Sequence, residues 1–577
     1  MSEPVPAPPA ICLNMIVRNE AHIITEALDS VAPYIHSWVI VDTGSDDGTQ
    51  DLIREHMAGL GIPGEIHERP WRNFGHNRSE ALQLARGHGD YIWVMDADDL
   101  LVGTPDLTEL TAGLYYLRLR QGGSMVYWRG MLFRDGLPWF YKGVVHEYPW
   151  CDQPHDNARL DGDYHVESRR IGARNLDERK YARDRDLLLA EVANNPGDPR
   201  SVFYLAQSYR DLGDLPNARR WYARRAAMTG FDQETYVAQH QLAQMMSKLG
   251  EPWPEVEEAY LQAWQLRPNR AEPLYAIAQH YRNENRYQLD YLFAERAAAL
   301  PLNSETLFVQ EDVYTWRATD ELAICASRLG RHPEAFALFR RVLALPDIPD
   351  EERPRLVRNR DFSVPTMLAA SSSYPESVAR GLTAGPPDAE VTVSVTAGPD
   401  RTGVEQTLNS FLHCCTDLNR AGRFLVVDTG LSAADRAWLG RHYGFVEFVE
   451  PAPTRDPAAL LGQIRTRIGG RRWLHLGRGW QFFAPEDYLT RLTAVLDAEP
   501  EVVQVGVNFG DATGLTGTCA TGEAVRRAPG AGRYVLAEKL ATGPAMFDTG
   551  RWDRTGGSTG TGLPTATLDE VLCTSTG

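Results

Sequence analysis

Three stretches of the chain can be laid on one another, and their fit leaves few folds open. Residues 203–226 read FYLAQSYRDLGDLPNARRWYARRA, residues 240–263 read HQLAQMMSKLGEPWPEVEEAYLQA, and residues 320–343 read DELAICASRLGRHPEAFALFRRVL. Ala206, Ala243 and Ala323 mark a close-packing point on a first helix. Gly213, Gly250 and Gly330 end that helix seven residues later, and an amphipathic second helix follows. A helical hairpin of this kind cannot bury its apolar face alone, so the copies must stack. A weaker copy at 274–297 has Asn285 in place of the glycine, and asparagine also tolerates the left-handed conformation of a helix end.

The pattern resembles the tetratricopeptide repeat, which implies a helical solenoid over residues 180–347. A short array specifies a shape and not a ligand. Its surface suits either a groove for an acceptor or a spacer that also joins copies into a homo-oligomer. Residues 348–389, rich in Pro, Ser, Arg and acidic residues, show no sustained period and are expected to be a linker.

At 577 residues the chain is too long for a single hydrophobic core. The formal charge of −18 argues against a nucleic-acid partner, since that contact rests on a basic face. No apolar stretch is long enough to cross a bilayer, so no membrane span is expected. Residues 1–10, MSEPVPAPPA, read as a disordered leader without the features of a signal peptide, and a cytoplasmic location is expected. The seven cysteines lack the paired spacing of a zinc site or a disulfide framework.

The first 100 residues alternate strand and helix. Strands are expected at 11–17, 37–42, 64–69 and 91–95, with helices at 21–33, 49–60 and 76–87. In an open parallel sheet, ligands lie beyond the carboxyl ends of the strands. Asp42 ends one such strand, and YIWVM runs directly into Asp96, Asp98 and Asp99. The cluster WRNFGHNR at 71–78 reads as a hairpin that adds Arg72, His76 and Arg78 to the same rim. Carboxylates suited to a metal and a ribose then share that rim with basic groups suited to a diphosphate.

MIVRNE, VIVDTGSDDGT, NR and WVMDADD, in this order and spacing, resemble a family 2 glycosyltransferase of the GT-A fold over residues 11–179. The resemblance implies inverting transfer of a sugar from a nucleotide donor, with Mn²⁺ or Mg²⁺ as cofactor. It implies Asp98 as a metal ligand, and Asp96 as a hydrogen-bond acceptor for the ribose or an orienter of the metal. Asp99 would stand behind that pair or face the sugar. Asp42 would accept the N3–H of uracil, and Arg78 would contact the diphosphate. In WFYKGVVHEYPW (139–150), His146 and Glu147 resemble the His-Glu element of members fused to tetratricopeptide repeats, with Glu147 as the base. His165 matches the place where such enzymes return a histidine to the metal or diphosphate, and Arg169 and Lys180 could reach phosphate.

Residues 390–577 repeat the theme without its chemistry. RFLVVDTGLSAADRAWL (423–439) copies SWVIVDTGSDDGTQDLI, with Asp428 in the place of Asp42. Further on, RWLHLGRGW sets Gly477, Arg478 and Gly479 where Asp96, Ala97 and Asp98 stand in the first copy. No metal-ligating oxygen remains there, and Arg478 would repel a divalent cation. LDEVL (568–572) resembles the acidic base element, and the Gly- and Thr-rich end gives little sign of regular structure. The expected architecture is therefore an α/β GT-A domain, an all-α tetratricopeptide solenoid, and a second, degenerate α/β GT-A-like domain. The rear domain is suited to stabilising the fold, to binding acceptor, or to using Arg478 in place of a metal.

The function expected is transfer of a hexose or N-acetylhexosamine from a uridine diphosphate sugar to a protein or peptide. A polysaccharide, a glycolipid or a small metabolite is the alternative acceptor. A non-catalytic tetratricopeptide scaffold that binds sugar or nucleotide is the alternative of another class.

Overall fold

The repeats are where the helix-end chemistry placed them. In the computed structural model, which describes residues 8–122, 125–169, 171–173, 179–305, 307–557 and 562–575, Ala206, Ala243 and Ala323 are wholly buried. Gly213, Gly250, Gly330 and Asn285 all take positive φ, between 59° and 77°. The helices run Lys180–Asn194, Pro199–Asp211, Leu215–Ala226, Asp232–Lys248, Trp253–Leu266, Glu272–Asn283, Tyr287–Ala298, Ala318–Arg328 and His332–Leu343. Asp198 starts the second of these by accepting from the backbone N–H groups of Arg200 and Ser201, with Pro199 in the first turn. Asp198→Ala should cost about 1 kcal/mol, read as a lower denaturant midpoint at unchanged slope.

Two compact units divide the chain, and the boundary falls inside the solenoid. One holds residues 1–284 and 292–318, the other residues 285–291 and 319–577. In the first, the sheet strands are β1 (Ile11–Val17), β2 (Ser37–Asp42), β3 (Gly64–Glu68), β4 (Tyr91–Val94), β5 (Asp99–Pro105), β6 (Leu114–Gln121) and β7 (Met125–Arg134). There follow β8 (Phe140–Lys142), β9 (Tyr148–Trp150), β10 (Asn157–Arg159), β11 (Gly162–Ser168) and the short β12 (Val309–Gln310). The sheet order is β3-β2-β1-β4-β7-β6-β11-β5, with β10 on β6 and β12 on β7, while β8 and β9 pair separately. The helices α1 (Ile24–Val31), α2 (Thr49–Leu60) and α3 (Phe74–Leu84) connect the first four strands, which are parallel. Buried Leu13, Ile40, Trp93 and Leu117 form the core on one face.

The second unit carries β13 (Val391–Ala397), β14 (Arg423–Asp428), β15 (Val446–Val449), β16 (Arg472–His475) and β17 (Trp480–Phe482). It continues with β18 (Gln504–Gly506), β19 (Val525–Ala528), β20 (Gly532–Ala537), β21 (Ala545–Asp548), β22 (Thr565–Leu568) and β23 (Cys573–Ser575). Its order, β15-β14-β13-β16-β21-β18-β22-β20-β19, begins as the first sheet does: four parallel strands followed by an antiparallel one. The registers also agree. Ile11 pairs with Tyr91 as Val391 pairs with Arg472, and Val17 pairs with Asp42 as Ala397 pairs with Asp428. Counting on from these pairs sets Gly477, Arg478 and Gly479 at the positions of Asp96, Ala97 and Asp98.

Four sequence expectations need correction. The stretch expected to be a linker forms three helices, Arg353–Asp361, Val364–Ser371 and Glu376–Gly381. They have 9, 8 and 6 residues, too few to display a helical period. Their prolines occupy or precede the first turn, where proline favours a helix. Two of this stretch's arginines, Arg353 and Arg360, are buried, and Arg353 donates to the carbonyls of Leu343 (3.0 Å) and Leu345 (2.8 Å). The Gly- and Thr-rich end contains β22, buried along its whole length, and β23. Residues 1–7 of the expected leader lie outside the described residues, but Ala10 is held by Asp90 Oδ2 at 2.8 Å. Finally, WRNFGHNR is no hairpin: Asn73 caps α3 by accepting from His76 N. Among the described residues no helix is long and apolar enough to cross a membrane.

Candidate functional site

The first two strand ends of the front sheet are laced together. Asp42 is buried at the end of β2 and accepts from Gly44 N (2.9 Å), Ser45 N (3.0 Å), Gln50 Nε2 (3.1 Å) and the Ser45 hydroxyl. Gly44, at φ 106°, makes that turn possible. Asn19 of the RNE segment and the following Ala21 donate backbone N–H groups to Ser45 Oγ (2.9 Å) and Asp47 Oδ2 (3.0 Å), and Asn19 Oδ1 accepts from Asp46 N. The rear copy keeps part of this: Asp428 accepts from Gly430 N and Leu431 N. Asp42 therefore has a turn-building task that does not need a ligand.

The end of β4 is an ionic network. Asp96 pairs with Arg78 from α3 and, at 2.8 Å, with Arg129 from β7. Arg129 reaches on to Asp99 at 2.6 Å, and Arg78 Nε donates to Glu147 Oε1 at 2.5 Å. Burial opposes ionisation of Asp96, but Arg78 and Arg129 prevail and hold its carboxyl far below the usual carboxylate range. Asp99 is wholly buried; burial, aided by the charges of Asp96 and Asp98, pushes it up to about 7 against Arg129. One chain of charges thus runs from Asp99 through Arg129, Asp96 and Arg78 to Glu147. Arg129 had no sequence signal beyond a cation in the middle of an aromatic strand. A register shift in the pairing of β6 with β7, beside Gly130, accompanies its placement.

Asp98 faces a different neighbour. Its Oδ2 accepts from Gly172 N at 3.1 Å and its carbonyl from Arg169 Nε at 3.2 Å. Glu20 accepts from Ala173 N at 3.1 Å. A Cβ at Gly172 would lie 3.1 Å from Asp98 Oδ2 and 3.3 Å from Glu20 Oε1, so the two carboxylates meet at that glycine. Burial, with the Asp98 charge adding to it, raises Glu20 to about 7. Among the described residues no three His, Cys, Asp or Glu side chains gather as a metal site. One or two carboxylate oxygens at a strand end nevertheless fit a hard cation that shares phosphates and water.

Other expected site residues lie elsewhere. His165 sits on β11 opposite the exposed Val102, and its ring meets Glu167 at 3.4 Å. Period-two alternation explains this, since Tyr164 and Val166 take the buried face. His146 turns from the carboxylates and stacks on Tyr204 of the helix Pro199–Asp211, with centroids 4.0 Å apart. Arg72 and His76 are exposed. Arg169 pairs with Glu26, and Lys180 lies over the Tyr181 ring.

The rear lobe has turned the same positions to other uses. The Arg478 guanidinium lies on Gly398, where a Cβ would fall 1.7 Å from Nη1, and its charge is 3.7 Å from Asp400. Asp569 pairs with Arg533 at 2.7 Å, and Glu570 with Arg491 at 2.5 Å and Arg340 at 3.0 Å. The acidic element there is neutralised by arginines.

Residues 12–111 match the family described as Glycosyl transferase family 2, and that stretch is a domain of this family. A tetratricopeptide repeat-containing protein of Synechococcus elongatus is 29% identical over 229 residues, 37% of this chain and 55% of that protein. The chain thus spans about half the length of this relative. A solved C-terminal part of a tetratricopeptide repeat-containing protein from Cytophaga hutchinsonii is 14% identical, covering 32% of this chain and 68% of its own, with a TM-score of 0.27. A tetratricopeptide repeat protein from Parabacteroides merdae is 18% identical over 34% of this chain and 71% of its own, with a TM-score of 0.25.

Proposed function

We propose that the front lobe transfers a hexose or N-acetylhexosamine from a uridine diphosphate sugar to an acceptor hydroxyl, with inversion at the anomeric carbon. The observation that carries this reading is the acidic set Asp96, Asp98 and Asp99, kept in one copy of a duplicated fold and lost from the other. A Mn²⁺ or Mg²⁺ ion bound with the donor supplies a Lewis acid for the departing diphosphate. Asp98, with Glu20 at its side, would hold that ion.

Glu147 takes the proton of the acceptor O–H as that oxygen bonds to the anomeric carbon. The bond from this carbon to the diphosphate oxygen breaks, and its electron pair leaves with the nucleotide. Arg78 touches Asp96 and Glu147 together, so a single guanidinium fork orients the donor side and the base. Asp42 already accepts four hydrogen bonds, the capacity of a carboxylate. A uracil N3–H would therefore take the place of Gln50 or of the Ser45 hydroxyl.

A polar cavity of about 260 Å³, lined by Lys142, Tyr148, Glu191, Asp198 and Arg200 among others, adjoins the His146–Glu147 turn and the first solenoid helices. In this reading it receives the acceptor, and a solenoid wall favours a protein or peptide. The test is release of nucleotide diphosphate from a panel of nucleotide sugars with Mn²⁺, in wild type and Glu147→Gln. Wild type should turn over a uridine sugar, and Glu147→Gln should be about a hundredfold slower. Binding without turnover of any donor would favour the scaffold.

A further inference from the structure

We propose that the first solenoid hairpin is part of the active site, with Arg200 and Tyr204 as positioning residues that aim the Glu147 carboxylate. The proposal rests on the reading of Glu147 as the base.

The turn that carries Glu147 joins the paired strands β8 and β9 and contains a strained residue with support from outside the hairpin. Gly143 has φ 101° and His146 φ 53°, and the second is a left-handed conformation that a side-chain-bearing residue seldom keeps without support. The support comes from the helix Pro199–Asp211. Arg200 Nε donates to the His146 carbonyl at 3.1 Å, and the His146 ring lies flat on Tyr204, 9° from parallel. Val145, just before them, is buried in one apolar cluster with Val202, Phe203 and Tyr204.

Arg200 is itself fixed. Its guanidinium lies 4.8 Å from the Tyr148 ring and 4.9 Å from the Tyr204 ring, and it pairs at 2.7 Å with the buried Glu234 of the helix Asp232–Lys248. The backbone of the turn is thus tied to the solenoid, while the Glu147 side chain is tied to Arg78 of the sheet domain. Loss of the solenoid tie would leave Glu147 on a turn free to relax, with donor contacts intact. That separates aim from donor affinity, and it makes the solenoid more than a spacer.

The test uses the full chain with Mn²⁺ and the uridine sugar that wild type turns over, water serving as acceptor. The variants are Tyr204→Phe, Tyr204→Leu and Arg200→Met, each also made with Glu147→Gln. Tyr204→Phe, which keeps the ring, should stay within about twofold of wild type. Tyr204→Leu and Arg200→Met should lower kcat about tenfold or more, with donor KM within about twofold. In the Glu147→Gln background, neither should lower kcat further, because the group they aim is gone. Arg200→Met, at a half-exposed site, serves if Tyr204→Leu does not fold. The proposal is overturned if kcat is unchanged in both variants, or if they slow the Glu147→Gln enzyme as much as the wild type. If Glu147→Gln itself turns over donor like wild type, the base assignment fails instead.

Discussion

Asp98→Ala should lower donor turnover by about a thousandfold, equivalent to roughly 4 kcal/mol of lost transition-state stabilisation. The size follows from the task assigned to the residue. The nucleotide gathers charge as it departs, and Asp98 offers the carboxylate oxygen nearest Glu20 at the end of the parallel strands. Asp96 cannot replace it, since Arg78 and Arg129 already claim both its oxygens. Arg478→Ala, at the neighbouring position in the rear copy, should leave turnover unchanged. Parallel measurements of kcat and melting temperature separate lost chemistry from lost fold; the Arg169 contact goes to the Asp98 carbonyl, which alanine keeps. Turnover retained by Asp98→Ala would remove this residue from the reaction.

Glu570→Leu should destabilise the second unit by about 3 kcal/mol, the lower end for breaking a buried ion pair. Glu570 is nearly buried between Arg340 of the helix His332–Leu343 and Arg491, with Arg360 of the expected linker 3.7 Å away. Its loss strands these cations, though Glu486 still reaches Arg340 and, at 2.7 Å, Arg491, which limits the cost. The arginines hold the Glu570 carboxyl well below its ordinary value of 4.5 despite burial. A depressed folded value means that the stabilisation is complete above the unfolded value and is lost as pH falls through the folded one. Wild type should therefore lose stability below about pH 4.5, and Glu570→Leu should show a flatter acid limb. Denaturant titrations at pH 7 and pH 3.5 would measure both effects.

What the sequence made legible was local or repeated. Ala206 and Gly213 recur at the same offsets, and VDTG announces a strand end in both copies, so the solenoid and the duplication could be read without coordinates. The acidic lip was legible in outline because Asp96, Asp98 and Asp99 fall within four residues. Their partners were not. Arg129 lies on an antiparallel strand inserted into the parallel sheet, and only the pairing of β4 with β7 brings it to Asp96. Glu20 was visible in the RNE segment, yet its meeting with Asp98 depends on Gly172 from the far side of the domain. The setting of His165, beside Glu167, was hidden because a strand's facing depends on register, and one residue decides whether a side chain meets the core or solvent. The helices between 353 and 381 escaped because arginines buried through carbonyl contacts look like solvated charge in a linear chain.

In the proposed function a single lobe of a duplicated fold holds a metal-linked sugar nucleotide. Calorimetric titration of the full chain with a uridine diphosphate sugar, with and without Mn²⁺, tests it most directly. One site per chain is expected, dependent on the cation and lost in Asp98→Ala but kept in Arg478→Ala. Two equal sites, or uptake that Asp98→Ala leaves intact, would contradict it.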